Sequence, residues 1–158
     1  CFWHSPVDVA PPNAKAVTTH AATLLQNIYR AYDYRDKGEV YDALAHSVTG
    51  DLLEELFLKI QSGLRMQEQG GAVARVKRVR ITHIEMAAPG PGARLPVDCT
   101  WRVKGTVEHW GHIHTRENEY TARIHLSTTP KDRGRIVAFE VTGEKRGHFE
   151  TVVRQFEE

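Results

Sequence analysis

The sequence predicts an α+β fold in which three N-terminal helices pack on a curved, four-stranded antiparallel sheet. Apolar residues recur at three- and four-residue spacing before Gly70-Gly71 and mostly alternate after it. The first pattern is typical of one-sided helices and the second of half-buried strands. Because helices and strands form two separate blocks, the chain favours an α+β arrangement over interleaved βαβ units.

The length of 158 residues suits one domain with one core. We expect residues 1–14 to be an extended leader or linker and residues 15–158 to form a single α+β domain. The 21 Lys and Arg residues nearly cancel the 20 Asp and Glu residues, which argues against a nucleic-acid-binding protein. One local basic run is expected to be a solvated strand face: Arg75, Lys77, Arg78 and Arg80.

The start of the chain predicts a membrane-anchored, extracytoplasmic protein, with a cytoplasmic location as the alternative. Phe2 and Trp3 follow Cys1 and precede a stretch that ends in Pro11-Pro12. Aromatic residues gather at membrane interfaces, and proline-rich segments act as spacers. We therefore expect a membrane tether upstream of residue 1; a lipid-bearing Cys1 would lead to the same location.

The helical half contains three apolar stripes. The first helix is predicted from the spacing of Ala21, Leu24, Leu25, Ile28 and Tyr32, and the charged stretch 33–38 ends it. A short second helix follows, with a buried edge formed by Val40, Tyr41 and Leu44. The third helix ends at Gly70-Gly71 and has an apolar face formed by Leu53, Leu56, Phe57, Ile60 and Leu64.

The strand half begins with a strand whose apolar phase changes. Val79 and Ile81 are odd-numbered, whereas Val76, Ile84 and Met86 are even-numbered, and a bulge or strong bend explains the change. The second strand follows a Pro-Gly loop at 89–92 and alternates best, with one face formed by Val97, Cys99, Trp101, Val103 and Val107.

A tight hairpin is predicted to join the second and third strands. Gly111 suits the positive-φ position of a three-residue loop over 109–111, which places His112 opposite Glu108. The apolar residues of the third strand are even-numbered from Tyr120 onward, so this pairing requires a second bulge between Thr115 and Glu119.

The last elements are a fourth strand and a short C-terminal helix. Val137, Phe139 and Val141 alternate after a turn at 130–134. The tail returns to helical spacing and predicts a helix that carries Phe149, Val152, Val153 and Phe156.

Three helices followed by a bent four-stranded antiparallel sheet resemble the cystatin-like cone of the nuclear transport factor 2, ketosteroid isomerase and polyketide cyclase families. The resemblance covers roughly residues 15–145 and rests on element order and bulged strands. The family usually has a short strand between its second and third helices, for which residues 46–49 are a poor candidate. Members include enzymes, binding modules and periplasmic domains of anchored secretion proteins, so the fold does not select a function.

The resemblance implies a ligand mouth between the helices and the curved sheet. Isomerase relatives place a tyrosine and acidic residues there, to polarise a carbonyl group and move a proton. The candidate catalytic residues in this chain are therefore Tyr29, Tyr32, Asp33 and Asp98, and the candidate pocket residues are Trp101 and Tyr120. The alternative is that the tyrosines are amphipathic core residues with hydroxyl groups near the surface.

The hairpin carries two further candidates. His109, His112 and His114 lie within six residues of one another, and imidazole is a common ligand of borderline metals. We favour a polar hairpin tip over a metal site and predict no cofactor, since no Gly-rich phosphate loop is present. Trp110 then becomes a candidate interface residue, because Trp is enriched at protein contacts.

Three functional hypotheses follow. The leading one is a non-catalytic interaction or assembly domain of a membrane-anchored or exported protein, which contacts a protein partner or a second copy of itself. The alternatives are a small-molecule pocket, with isomerase- or cyclase-like enzyme chemistry, and a metal-binding protein that uses the histidine hairpin.

Overall fold

Three helices precede a four-stranded antiparallel sheet in the computed structural model, which describes residues 13–153 and the side chains of residues 13–146. The predicted α+β class is confirmed. A short 3-10 segment, Ala31–Asp33, extends the first helix. The elements are α1 (Ala14–Arg30), α2 (Lys37–Ala45), α3 (Gly50–Glu68), β1 (Val73–Met86), β2 (Arg94–His109), β3 (His112–Ser127) and β4 (Ile136–Val153).

The glycine pair ends α3, as its position predicts. Gly70 adopts a φ of 79°, a conformation that favours glycine. The Gly71 N–H donates to the Met66 carbonyl oxygen at 2.8 Å, and a Cβ on Gly71 would lie only 2.6 Å from that oxygen. Backbone conformation therefore favours glycine at 70, and close approach to the Met66 carbonyl requires it at 71, where the helical half of the chain gives way to the strands.

The sheet has the order β1-β2-β3-β4, with β1 and β4 at its edges. Two register shifts in the β1–β2 pairing leave Lys77 and Thr82 as extra residues of β1. They confirm the bulge predicted from the phase change in this strand. The strand contains two bulges, one more than the sequence predicted. Because each bulge resets the alternation, one face of β1 collects five of its six partly buried apolar residues: Val76, Val79, Ile81, Ile84 and Met86.

The β2–β3 pair is continuous from Arg94↔Ser127 to His109↔His112, without a register shift. The predicted second bulge is therefore wrong for this pair, and an irregularity between Arg116 and Asn118 occurs instead in the pairing with β4. The change of phase predicted within β3 resulted from the prediction of a three-residue loop at 109–111. With a two-residue loop, the even-numbered residues of β3 face the helices throughout.

The predicted C-terminal helix is wrong as far as Val153, because β4 runs to that residue and pairs with β3 down to His112. Pairing with the long neighbouring strand β3 outweighs the helical spacing of a few apolar residues in the tail. The remaining residues, 154–158, lie outside the described part of the chain, as do residues 1–12 of the predicted leader. Between α2 and α3, Val48 forms a single parallel bridge with Ile136 in place of a strand.

The core lies between the helices and one half of the sheet. The strand residues of this core are Val97, Cys99, Trp101, Ala122, Ile124, Leu126 and Ile136. Between Arg102 and Thr121, by contrast, no residue is fully buried. The β2–β3 hairpin thus extends beyond the packed part of the domain. None of the helices in residues 13–153 has the length and apolarity that crossing a membrane requires.

Candidate functional site

Three aromatic rings pack together on the side of the sheet that faces the helices. Trp101 is 4% exposed and stacks on Tyr120, its partner across the β2–β3 ladder, with ring centroids 5.6 Å apart. Phe139 of β4 packs against the same indole at 6.5 Å. The candidate pocket residues Trp101 and Tyr120 therefore contact each other and occupy the region where the resemblance implied a ligand mouth.

Tyr29 of α1 joins this cluster through its hydroxyl group. The indole Nε1–H of Trp101 donates a hydrogen bond to the Tyr29 oxygen at 2.9 Å, and the Tyr32 ring stacks against Tyr29 at 6.0 Å. Burial raises the pKa of Tyr29 well above its ordinary value, although the Trp101 hydrogen bond acts in the opposite direction. Tyr29 is thus a neutral phenol at physiological pH, which can donate a proton in a hydrogen bond but cannot serve as a base.

Asp33 lies in an open groove between the end of α1 and the first bulge of β1. It lines two adjoining cavities of about 220 and 260 Å³, the first together with Tyr29 and the second together with Tyr32. The structure thus brings three of the four candidate catalytic residues to one region. The Asp33 carboxylate is exposed to solvent, whereas acid–base enzymes enclose such a group in apolar surroundings.

Asp98, the fourth candidate, lies on the opposite face of the sheet. Its partner across the ladder, Arg123, holds the carboxylate through two hydrogen bonds, Nε to Oδ1 at 2.8 Å and Nη2 to Oδ2 at 3.2 Å. These bonds lower the pKa of Asp98. The sheet separates this ion pair from Tyr29, so Asp98 does not belong to the groove.

The groove is bordered by basic side chains. Arg30 and Arg35 approach it from the helical side, and Arg75, Lys77 and Arg78 from β1. None of the five forms an ion pair with another of residues 13–146. The sequence showed the basic run of β1 but not the arginines that face it, because residues 30–35 are distant from β1 along the chain.

The hairpin tip is a two-residue turn rather than the predicted three-residue loop. Trp110 and Gly111 have φ values of 49° and 80°, the combination that type I′ turns require. His109 therefore pairs with His112, and His114 with Val107, which corrects the predicted pairing of His112 with Glu108. Asn or Asp usually precedes the glycine in such turns, so the sequence rules did not anticipate Trp110 in this position.

The histidines of the hairpin belong to two separate ring contacts. The His112 and His114 rings lie nearly parallel with centroids 6.4 Å apart, and the His109 ring stacks on Trp110 at 4.3 Å. In the described part of the chain, no group of three His, Cys, Asp or Glu residues is arranged to hold a metal ion. Trp110 itself is 85% exposed.

Comparisons with known proteins give no family. No family model matches the chain, and no curated protein matches it. Among solved structures, the chain is similar to a solution NMR structure of a de novo designed β-sheet protein, with 17% identity and a TM-score of 0.41. That similarity covers 84% of this chain and 92% of the designed one.

Proposed function

We propose that this chain is a non-catalytic interaction domain that binds a partner protein at the tip of the β2–β3 hairpin. The observation that carries the proposal is Trp110, which is 85% exposed at a φ of 49°. A left-handed backbone costs an ordinary residue about 1–2 kcal/mol, and this indole gains no burial in return. Local strain at an exposed aromatic residue is typical of a contact site rather than of a folding determinant.

The turn presents the indole in a fixed orientation. His109 stacks against Trp110 with an interplanar angle of 25°, and the ladder pairs His109 with His112 directly behind the turn. A ring that is already ordered loses less conformational entropy when a partner binds. The hairpin therefore suits Trp110 to act as an anchor that enters a pocket of the partner.

The interior supports a binding role over an enzymatic one. Trp101, Tyr120 and Phe139 occupy the region between helices and sheet, and the Tyr29 oxygen accepts a structural hydrogen bond from Trp101. Of the two candidate carboxylates, Asp33 is in solvent and Asp98 is paired with Arg123. Proton chemistry on a substrate needs a carboxylate beside the phenol in a desolvated site, and neither of these two meets that requirement.

Charge along the β1 edge favours a different protein over a second copy of this chain. If two β1 edges paired antiparallel about the middle of the basic run, Arg75 would face Arg80, and Lys77 would face Arg78. Like charges directly opposite each other destabilise strand pairs. We therefore infer that the partner is a different protein with an acidic surface beside the pocket that receives Trp110.

A photo-crosslinking amino acid at position 110 tests this proposal in cells that make the protein naturally. The matched control is the same substitution at Leu58 of α3, which is 54% exposed. We expect one protein to crosslink from position 110 and not from position 58. Crosslinks that are equal at both sites, or only between copies of this chain, would contradict the proposal.

The captured partner is then purified and its affinity measured. Trp110→Ala is expected to weaken binding at least about tenfold, as for a hot-spot residue. Leu58→Ala should leave the affinity unchanged. An unchanged affinity in Trp110→Ala would show that the crosslink reported proximity rather than binding.

A further inference from the structure

A second cavity, of about 410 Å³, lies at the opposite end of the sheet from Trp110. It forms where α1, α2 and the loop between β3 and β4 meet. All of its polar lining residues are basic: His20, His46, Lys131, Arg133 and Arg135. Leu24 and Ala45 complete the wall, so the lining contains no carboxylate.

The β3–β4 loop is ordered by its own hydrogen bonds. Asp132 accepts hydrogen bonds from the hydroxyl groups of Thr129 at 2.7 Å and Ser127 at 2.9 Å. The Gly134 carbonyl oxygen lies 3.1 Å from Nε2 of His20 on α1. The loop thus holds its basic side chains at the cavity before any ligand arrives, which lowers the entropic cost of binding.

Arg135 is fixed more tightly than the other cations. Its Nε donates to the Asp132 carbonyl oxygen and its Nη1 to the Ala45 carbonyl oxygen, both at 2.9 Å. Part of its role is therefore structural, because it satisfies a carbonyl at the C-terminal end of α2. Its Nη2 lies 3.9 Å from Oδ1 of Asp132.

Lys131 and Arg133 have no comparable structural role. Both are exposed, and neither forms an ion pair with any of residues 13–146. The chain as a whole carries a formal charge of only +1, yet three cations of one loop, Lys131, Arg133 and Arg135, line this cavity beside two histidines. Like charges held close together disfavour the compact state, so their convergence calls for a neutralising ligand.

We infer that this cavity binds a small compound that carries a diphosphate-type group. A carboxylate offers two acceptor oxygens, whereas linked phosphates offer several and more than one negative charge, which matches two Arg, one Lys and two His donors. Arginine binds phosphate through paired hydrogen bonds and lysine binds it as a point charge. The volume falls within the ordinary range of small-molecule sites, about 300–1,000 Å³.

Calorimetric titration with inorganic pyrophosphate at constant ionic strength tests the inference. We expect saturable binding by the wild-type chain, weakened at least about tenfold in Lys131→Gln/Arg133→Gln because charge-assisted hydrogen bonds are lost. The matched control is Lys77→Gln/Arg78→Gln, which removes the same charge from the β1 run and should bind normally. Equal loss in both double variants, or no binding beyond that of sodium chloride, would overturn the inference.

Two further measurements separate the remaining outcomes. Pyrophosphate should shift the imidazole NMR signals of His20 and His46, which line the cavity. Unchanged signals would show that pyrophosphate binds elsewhere and would overturn the inference. Flotation with phosphatidic acid vesicles distinguishes a lipid headgroup from a free compound. Vesicle binding that pyrophosphate does not displace would overturn the assignment to a small ligand.

Discussion

The indole Nε1 of Trp101 and the hydroxyl oxygen of Tyr29 lie 2.9 Å apart, in a hydrogen bond that joins α1 to β2. The two residues are 72 positions apart in the sequence, and the bond lies inside an aromatic cluster with Tyr120 and Phe139. A buried indole N–H needs a partner. Tyr29 supplies it, which gives this candidate catalytic residue a structural role.

Tyr29→Phe should lower the free energy of unfolding by about 1–2 kcal/mol, because it leaves the Trp101 N–H buried without an acceptor. Urea denaturation followed by tryptophan fluorescence measures the change. Tyr32→Phe is the control and should have an effect below about 0.5 kcal/mol, since its half-exposed ring stacks on Tyr29 without a comparable bond to the core. Equal effects of the two substitutions would contradict the role assigned to Tyr29.

Trp110→Asn should raise the free energy of unfolding by about 0.5–1 kcal/mol, because Asn-Gly suits a type I′ turn. The same substitution should abolish binding of the proposed partner. Trp110→Val is the control for backbone strain and should lower stability, since β-branched residues disfavour a positive φ. Thermal unfolding of the wild type and the two variants measures the order of their stabilities. If Trp110→Asn were less stable than the wild type, the turn would not be strained.

Deletion of Arg80 should lower the free energy of unfolding by about 1–3 kcal/mol. It makes Val79 and Ile81 adjacent, so that one of the two must turn from the helix-facing side of the sheet to the outer face. Deletion of Lys77 is the control and should change stability by less than about 1 kcal/mol, because the pairing already passes from Val76↔Gly105 to Arg78↔Lys104 and the other residues keep their faces. Chemical denaturation compares the two variants. Equal losses of stability would show that the alternation beside the bulge does not set the face of β1.

The Asp98–Arg123 pair should make stability depend on pH in the acid range. Hydrogen bonds from Arg123 lower the pKa of Asp98 in the folded state below its unfolded value of about 3.9. Its stabilisation is therefore complete above that value and is lost as pH falls through the folded pKa. The contribution of this ion pair to the free energy of unfolding should be small because both side chains are partly exposed.

Acid unfolding of Asp98→Asn measures this effect. The stability difference from the wild type should be constant from pH 5 to 7, where Asp98 is ionised in both the folded and the unfolded state. It should decrease below about pH 4 and disappear once the pH is below the folded pKa of Asp98. Asp42→Asn, at an exposed position of α2, is the control and should show no such change. A difference that persisted at low pH would mean that Asp98 acts through packing rather than charge.

Local patterns in the sequence determined the helices, the strands and much of the sheet's curvature. The spacing of Leu24, Leu25 and Ile28 placed the buried face of α1, and the phase change in β1 predicted a bulge. These features follow from the backbone periods of 3.6 and 2 residues, which a sequence displays directly. Gly70-Gly71 marked the boundary for the same local reason.

Only the tertiary structure decided the hairpin register and the composition of the sites. One residue of loop length at Trp110 changed the face of His112 and His114, because the strand period is two. The basic residues of the second cavity are similarly brought together from α1, α2 and the β3–β4 loop. Such groupings depend on how distant segments pack, and the local periods along the chain specify only which face of each segment is buried.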